Sequence, residues 1–189
     1  MKAVVLESPG HLVYREDVRV PLPAVGQLRV KTQAASICGS DMLRVFSGAA
    51  KVYPLILGHE CSGVVDMVGE DVSHDWIGKH VSIAPLIPCM TCESCQHGLY
   101  ASCTNYSFIG SRIAGGFAEY LVLPVGNAVL LPEGMDAEMG ALVEPTTVAL
   151  HALKRAGGAH GLRVAVFGVG SIGMLTVCAA RFTGAAQII

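Results

Sequence analysis

Hydrophobic and polar residues alternate along much of the first 130 positions, which is the pattern of short, half-buried β-strands. Two alternating stretches, 2–6 and 11–15, flank Ser8-Pro9-Gly10 and predict a hairpin. Further elements follow from the same pattern, separated by turns rich in glycine and proline: strands at 28–37, 62–68, 80–84, 117–123 and 127–131, an extended segment at 53–58, and one short helix at 41–46. This part of the chain is therefore predicted to be mainly β-structure.

The pattern changes near residue 132, where helical periodicity replaces alternation. The predicted elements are two helices at 136–143 and 145–156, an apolar buried strand at 164–167, a helix from 171 to about 183, and the start of a strand at 187–189. The fold class is α/β overall. We divide the chain into a first domain over 1–143 and part of a second domain over 144–189.

A glycine-rich turn joins the strand at 164–167 to the following helix. Its sequence places three glycines in the spacing GxGxxG, with two further residues at the start of the helix: Gly168, Gly170, Ser171, Ile172 and Gly173. In this strand–turn–helix context the spacing favours the binding of a nicotinamide dinucleotide, because the helix N-terminus presents N–H groups to the pyrophosphate. An ordinary glycine-rich turn is the alternative. The acidic residue that separates NAD from NADP is expected about 20 residues further on, past position 189.

Composition excludes several classes of protein. The chain is 52% hydrophobic and 15% charged, with a formal net charge of -2, so nothing indicates nucleic-acid binding. The uncharged run 164–180 is interrupted by glycines, and we interpret it as a strand plus a helix rather than a membrane span. An odd count of seven cysteines indicates a reducing compartment, and we expect a cytoplasmic protein.

Four of the cysteines lie in one segment, 89–103, with the spacing CxxCxxCx7C: Cys89, Cys92, Cys95 and Cys103. Thiolates at two-residue spacing can turn towards one point, and a fourth thiolate from the next loop completes a tetrahedron. This is the coordination that a structural Zn²⁺ site requires. The segment is therefore predicted to be a zinc lobe that shapes the protein and leaves no position for a substrate.

Three other short polar stretches follow apolar strands or open a helix: Cys38-Gly39-Ser40-Asp41, Gly58-His59-Glu60 and Glu144-Pro145. A thiolate, an imidazole and one or two carboxylates suit a catalytic zinc with an open position. The alternatives are a hydrogen-bonded loop pair for His59 and Glu60 and a small core residue for Cys38. The helix at 41–46 is predicted to be capped by Ser40 or Asp41.

These motifs, in this order, resemble the zinc-dependent medium-chain alcohol and polyol dehydrogenase family. The resemblance also includes Gly115-Gly116-Phe117-Ala118-Glu119-Tyr120 and covers nearly the whole chain. It implies a GroES-like β-barrel catalytic domain followed by the first part of a Rossmann domain, a doubly wound parallel sheet. Members of the family have a complete Rossmann domain, so we expect this chain alone to bind cofactor poorly and to turn over slowly.

The resemblance implies roles for particular residues. A catalytic zinc would be held by three side chains, with a further carboxylate as a direct or water-mediated ligand: Cys38, His59, Glu60 and Glu144. Which of the two glutamates is the direct ligand stays open. Ser40 resembles the family's proton-relay hydroxyl, and Asp41 resembles the carboxylate that orients the imidazole of His59.

The implied reaction is hydride transfer from a secondary alcohol to NAD, with NADP as an alternative. The resemblance extends to segments such as Phe108-Ile109-Gly110-Ser111-Arg112, and it implies a small-molecule sugar alcohol or its phosphate as substrate. Arg112 is a candidate cation for that phosphate, and a solvated loop arginine is the alternative. An enzyme of the threonine or sorbitol dehydrogenase type is a second interpretation, and a catalytically inert, zinc-stabilised interaction module is a third. The family implies a homo-oligomer, a dimer or tetramer.

Overall fold

A computed structural model describes all residues from 1 to 189. The chain divides into two compact units, Met1–Ala141 and Leu142–Ile189, which are described one at a time. None of the helices combines the length and the apolar composition needed to cross a membrane.

The first unit is built from ten strands, most of them short. They are β1 Ala3–Ser8, β2 His11–Arg15, β3 Gln27–Ser36, β4 Leu55–Ile56, β5 Glu60–Val68, β6 His80–Ile83, β7 Leu86–Ile87, β8 Ser107–Phe108, β9 Tyr120–Pro124 and β10 Ala128–Leu130. An antiparallel five-stranded sheet has the order β10-β6-β5-β3-β9, and a three-stranded sheet has the order β2-β1-β4. The predicted hairpin is confirmed as β1 and β2.

The register between β3 and β5 decides which residues meet at the end of the sheet. Ser36, the last residue of β3, lies opposite Glu60, the first residue of β5. The register shifts between Thr32 and Ala34, so that β3 carries an extra residue there, as in a β-bulge. Cys38 follows β3 by two residues, and His59 immediately precedes β5. The pairing of the two strands therefore brings both segments to one edge.

Three helices accompany these strands: α1 Gly39–Phe46, α2 Glu93–Gln96 and α3 Ala137–Ala141. The predicted cap of the first helix is wrong, since its N-cap is Cys38. Asp41 is instead the third helical residue, and its carboxylate accepts a hydrogen bond from the Cys38 N–H at 3.2 Å. An acidic residue at this position can satisfy the free N–H of the cap residue.

The main core of the first unit lies beneath the five-stranded sheet. Its buried members come from the inward faces of β3, β5, β6 and β9: Leu28, Val30, Cys61, Val65, Val81, Ile83, Leu121 and Leu123, with Ile109 and Val72 from loops. A second cluster joins Leu6 of β1 to Val45 of α1 and to Leu55 and Leu57. Because Val45 packs there, α1 is held beside the segment that carries His59.

The second unit contains α4 Val143–Arg155, β11 Arg163–Val164, α5 Ser171–Phe182 and β12 Gln187–Ile188. The two strands are parallel and α5 connects them, which is a βαβ arrangement. Leu153 of α4 packs with Ala179 and Ala180 of α5. The predicted buried strand at 164–167 is only partly confirmed, because strand pairing covers Arg163–Val164 and Phe167 is 98% exposed.

Candidate active site

The four cysteines of the lobe come together as the spacing predicted. Their sulfur atoms all lie within 4.8 Å of one another. Cys89 Sγ is 4.0 Å from Cys95 Sγ, and Cys92 Sγ is 3.9 Å from Cys103 Sγ. A tetrahedral zinc with bonds of about 2.3 Å requires sulfurs about 3.8 Å apart, whereas a disulfide requires about 2.05 Å. The distances therefore fit four thiolates around one zinc ion.

Hydrogen bonds around Cys89 favour its thiolate. The Thr91 hydroxyl and backbone N–H groups lower the pKa of Cys89 to about 5. Burial and its thiol neighbours raise the pKa of Cys95 to about 12. Without a cation, one thiolate thus opposes the ionisation of the next. A bound divalent cation removes that conflict, so the donor set suits a metal better than four free thiols.

A second cluster joins three of the predicted ligands at the edge where β3 and β5 end. One ligand atom from each of Cys38, His59 and Glu60 lies within 4.8 Å of the other two. Cys38 is half-buried, whereas His59 and Glu60 are buried at 5% and 4% exposure. Three protein ligands leave the fourth position of a zinc ion open, as a catalytic site requires.

Glu60 is oriented by the strand opposite to it. The Ser36 hydroxyl donates a hydrogen bond to Glu60 Oε2, as their direct pairing in the sheet allows. This bond leaves Glu60 Oε1 as the other acceptor atom of the carboxylate. The sequence did not reveal Ser36, because its contact with Glu60, 24 residues further along the chain, depends on the register of two strands.

The environment of His59 also fits a metal ligand. Its ring meets Phe108 edge-on, with centroids 5.6 Å apart. His59 Nδ1 is buried and makes no hydrogen bond, although it lies 3.5 Å from Asp41 Oδ1. A buried ring nitrogen facing a carboxylate is the arrangement by which proteins orient a metal-ligating imidazole. Asp41 thus lies beside His59, and its role in orienting the imidazole stays a prediction.

The thiols of the neighbourhood differ in accessibility. Burial raises the pKa of the Cys38 thiol, while hydrogen bonds from Ser40 lower it. Cys61, adjacent to Glu60, is fully buried, and burial raises its pKa to about 12. Cys61 belongs to the main hydrophobic core. It is therefore a packing residue and not a competing ligand.

Arg44 is a cation beside this cluster that the sequence reasoning did not single out. Its Nη1 donates to Ser40 Oγ at 2.8 Å and to Asp41 Oδ1 at 3.1 Å. Positions three and four residues apart on a helix are neighbours, so the spacing from Ser40 and Asp41 was a usable signal. Arg112, by contrast, lies 4.0 Å over the Tyr106 ring and donates to the Tyr106 carbonyl. It lines a cleft of about 510 Å³ with Arg15 and Pro54, away from the three ligands.

The remaining predicted site residues belong to the second unit. Glu144 is in the first turn of α4, and its role as a ligand stays a prediction. At the glycine-rich turn, Gly168 has a φ of +95°, and a Cβ at Gly173 would lie 1.9 Å from the Gly168 carbonyl oxygen. A Cβ at Gly170 would meet nothing within 4 Å. With Ser171 and Ile172 opening α5, the turn leaves space for a phosphate against the backbone.

Known proteins resemble the chain over its whole length. Galactitol 1-phosphate 5-dehydrogenase of Escherichia coli (strain K12) is 42% identical over 188 residues, covering 100% of this chain and 54% of that protein. Sorbitol dehydrogenase of Bacillus subtilis (strain 168) is 33% identical, covering 100% and 55%. The crystal structure of galactitol-1-phosphate dehydrogenase from Escherichia coli superposes with a TM-score of 0.94 at 42% identity, covering 100% and 54%. The chain spans about half the length of these relatives.

The sequence profile of the alcohol dehydrogenase GroES-like domain matches residues 24–133, which is more than half of the 189 residues. This match and the superposition confirm the predicted GroES-like, mixed α/β fold. The chain belongs to the alcohol dehydrogenase GroES-like domain family.

Proposed function

We propose that the protein is a zinc-dependent oxidoreductase. It would transfer hydride between the secondary alcohol of a sugar alcohol or sugar-alcohol phosphate, such as galactitol 1-phosphate, and a nicotinamide cofactor. The cluster of Cys38, His59 and Glu60 carries the proposal, because a thiolate, an imidazole and a carboxylate converge there with one metal position open. The polyol relatives, at 42% and 33% identity, support the substrate class.

The chemistry divides between the bound groups and the side chains. Zinc, when bound, supplies positive charge that lowers the pKa of an alcohol, and the nicotinamide supplies the hydride acceptor. Cys38 and Glu60 contribute negative charge, which limits the net charge of the loaded site. Ser40 would pass the alcohol proton towards solvent. Glu144 would be a further ligand, directly or through water.

The turn at 168–173 would hold the pyrophosphate of the cofactor. Its support is the open backbone at Gly170 and the N–H groups that begin α5. NAD is the cofactor we propose, and NADP is assayed beside it. The lobe at 89–103 would hold a second, structural zinc. We further expect the protein to be cytoplasmic and to form a dimer or tetramer. Light scattering on the purified protein tests the oligomeric state.

The decisive experiment assays the complete gene product that contains this chain. Galactitol 1-phosphate, sorbitol and threonine are each offered with NAD and with NADP, and reduced cofactor is followed by absorbance. We expect galactitol 1-phosphate with NAD to be oxidised fastest. A clear preference for threonine would overturn the assignment to polyols. A preference for sorbitol would show that the substrate is a sugar alcohol without a phosphate.

Two variants and a metal analysis accompany the assay. His59→Ala should abolish turnover, whereas His74→Ala, a change at an exposed histidine, should not. We expect about two zinc ions per subunit. One zinc ion, retained in His59→Ala, together with no turnover of any substrate would instead favour a zinc-stabilised interaction module.

A further inference from the structure

Arg44 lies next to the candidate metal cluster without belonging to it. It is in the last turn of α1, and its side chain reaches back towards the start of the helix. One nitrogen, Nη1, bonds both Ser40 Oγ at 2.8 Å and Asp41 Oδ1 at 3.1 Å. The side chain is 16% exposed, so these contacts are largely shielded from water.

Asp41 connects Arg44 to two of the three ligands. One carboxylate oxygen, Oδ2, accepts from the Cys38 N–H at 3.2 Å. The other, Oδ1, accepts from Arg44 and lies 3.5 Å from His59 Nδ1. Asp41 is only 2% exposed. Asp41 therefore bonds the Cys38 backbone and faces the ring nitrogen of His59.

The charges give a second reason for a cation here. A thiolate at Cys38 and the carboxylates of Glu60 and Asp41 carry three negative charges in a mostly buried space. A divalent ion offsets two of them, and Arg44 offsets the third. A buried carboxylate is held more firmly when a cation donates a hydrogen bond to it. Arg44 thus holds Asp41 in place.

Arg44 also constrains Ser40. A guanidinium can only donate hydrogen bonds, so the Ser40 oxygen accepts from it. The hydroxyl hydrogen of Ser40 must then point at another acceptor, such as the Cys38 sulfur. In a serine that passes a proton from the substrate, the bond from Arg44 limits the directions that the O–H bond can take.

We propose that Arg44 is a positioning residue of the metal site, acting through Asp41 on Cys38 and His59 and directly on Ser40. The role rests on the proposed function, because it requires that Cys38, His59 and Glu60 bind a metal. It assigns to Arg44 an effect on metal affinity and ligand geometry that exceeds any effect on the stability of the fold.

The test measures Co²⁺ binding to the metal-free chain. Subtracting the visible spectrum of Co²⁺-loaded His59→Ala from that of the wild type isolates the three-ligand cluster from the cysteine lobe. Arg44→Met should weaken Co²⁺ affinity at this cluster about 10-fold, at the lower end of what removal of an outer partner costs. It should also shift the ligand-field bands of the difference spectrum.

Arg29→Met is the matched control. Arg29 forms a two-bond ion pair with Asp66 at 2.9 and 2.8 Å, and its side chain is 12% exposed, close to the exposure of Arg44. It should lower the unfolding temperature and leave the Co²⁺ difference spectrum unchanged. Equal losses of Co²⁺ affinity in the two variants would mean that Arg44 acts only through stability, which overturns the proposal.

A double variant tests the route through Asp41. If Arg44 acts through this carboxylate, Arg44→Met combined with Asp41→Asn should bind Co²⁺ within about twofold of Asp41→Asn alone. If the double variant instead loses Co²⁺ affinity by the product of the two single losses, the route through Asp41 is rejected. If Arg44→Met does not fold, Arg44→Gln replaces it in the test. We expect Arg44→Gln to weaken Co²⁺ affinity about threefold. Wild-type Co²⁺ affinity in this variant rejects the proposal. Unchanged Co²⁺ binding in His59→Ala would instead reject the metal site and with it the proposed function.

Discussion

At the scale of single residues, Gly116 shows how tightly the core presses on the candidate site. A Cβ built there would lie 2.5 Å from Cys61 Sγ and 2.7 Å from Cys61 Cβ. Cys61 is fully buried and directly follows Glu60. A methyl group at position 116 would therefore push on the residue next to a proposed ligand.

We expect Gly116→Ala to lower the free energy of unfolding by about 1–3 kcal/mol, the usual cost of overpacking a core. Urea denaturation measures it. Gly126→Ala is the matched control, because a Cβ there meets nothing within 4 Å. The same small change in both variants would contradict the close contact at Cys61.

Arg44 and Ser36 show what the sequence could not reveal at this scale. Cys38, His59 and Glu60 were predicted because their residue types suit zinc and because the family resemblance implies that role. Ser36 contacts Glu60 only because two strands pair in one register. Arg44 was detectable from helical spacing, but the spacing alone did not say that its neighbours face a metal site. Such contacts depend on which strands pair over long distances in the sequence, and local sequence patterns do not reveal that pairing.

Among the elements, the cysteine lobe depends on all four sulfurs at once. It contains only the four-residue helix α2, a three-residue 3-10 helix at Tyr100–Ser102 and short turns. Its hydrogen bonds converge on sulfur, as with the Thr91 hydroxyl and the Cys92 N–H, which both donate to Cys89 Sγ. A metal is therefore the main cross-link that we expect for this segment.

Cys92→Ser should remove one zinc ion per chain and lower the unfolding temperature by more than about 5 °C. Metal analysis and calorimetry check both. Cys178→Ser, at an exposed position of α5, is the control and should change neither. Treatment of the wild type with a strong chelator should reproduce the Cys92→Ser result. Full stability without zinc would show that the lobe does not need a metal.

The turn before α5 contains one glycine that the fold requires, Gly173, and one that we propose faces the cofactor, Gly170. Gly173→Ala forces a Cβ towards the Gly168 carbonyl oxygen, so we expect a loss of stability. Gly170→Ala meets no protein atom and should cost less than about 1 kcal/mol, the range of a helix-cap change. It should nevertheless weaken NADH binding by the complete gene product about 10-fold, because the methyl group fills the space proposed for the pyrophosphate.

NADH fluorescence titration and urea denaturation, run on both variants, test this difference. Unchanged NADH affinity in Gly170→Ala would contradict the proposed place of the cofactor.

Elements defined by local spacing, such as this turn, the first hairpin and the lobe, were predictable from the sequence. The strand before the turn was predicted three residues too long at its end, because an apolar run does not reveal where strand pairing stops.

At the scale of the whole molecule, the exposed apolar side chains of the second unit bear on how the protein associates in solution. Phe167 is 98% exposed, Phe182 88% and Val169 74%. Large apolar side chains in water favour association between molecules. We expect solutions of this 189-residue chain to show concentration-dependent association.

The double variant Phe167→Ser/Phe182→Ser should reduce light scattering at high protein concentration and change stability by less than about 1 kcal/mol, since both side chains are exposed. Phe117→Ser is the contrasting variant. Phe117 packs against two core clusters of the first unit, so its loss should destabilise the fold. Scattering that is unaffected by the double variant would place the cause of association elsewhere.

The pairing of Ser36 with Glu60 has a consequence for how chains of this kind can change in length. A single residue inserted between Ala34 and Ser36 would turn Ser36 to the opposite face and displace Cys38 from its partners. The exposed segment 47–52, between α1 and β4, has no such register to keep. Insertions and deletions inherited during evolution should therefore accumulate in that segment and be eliminated from the end of β3.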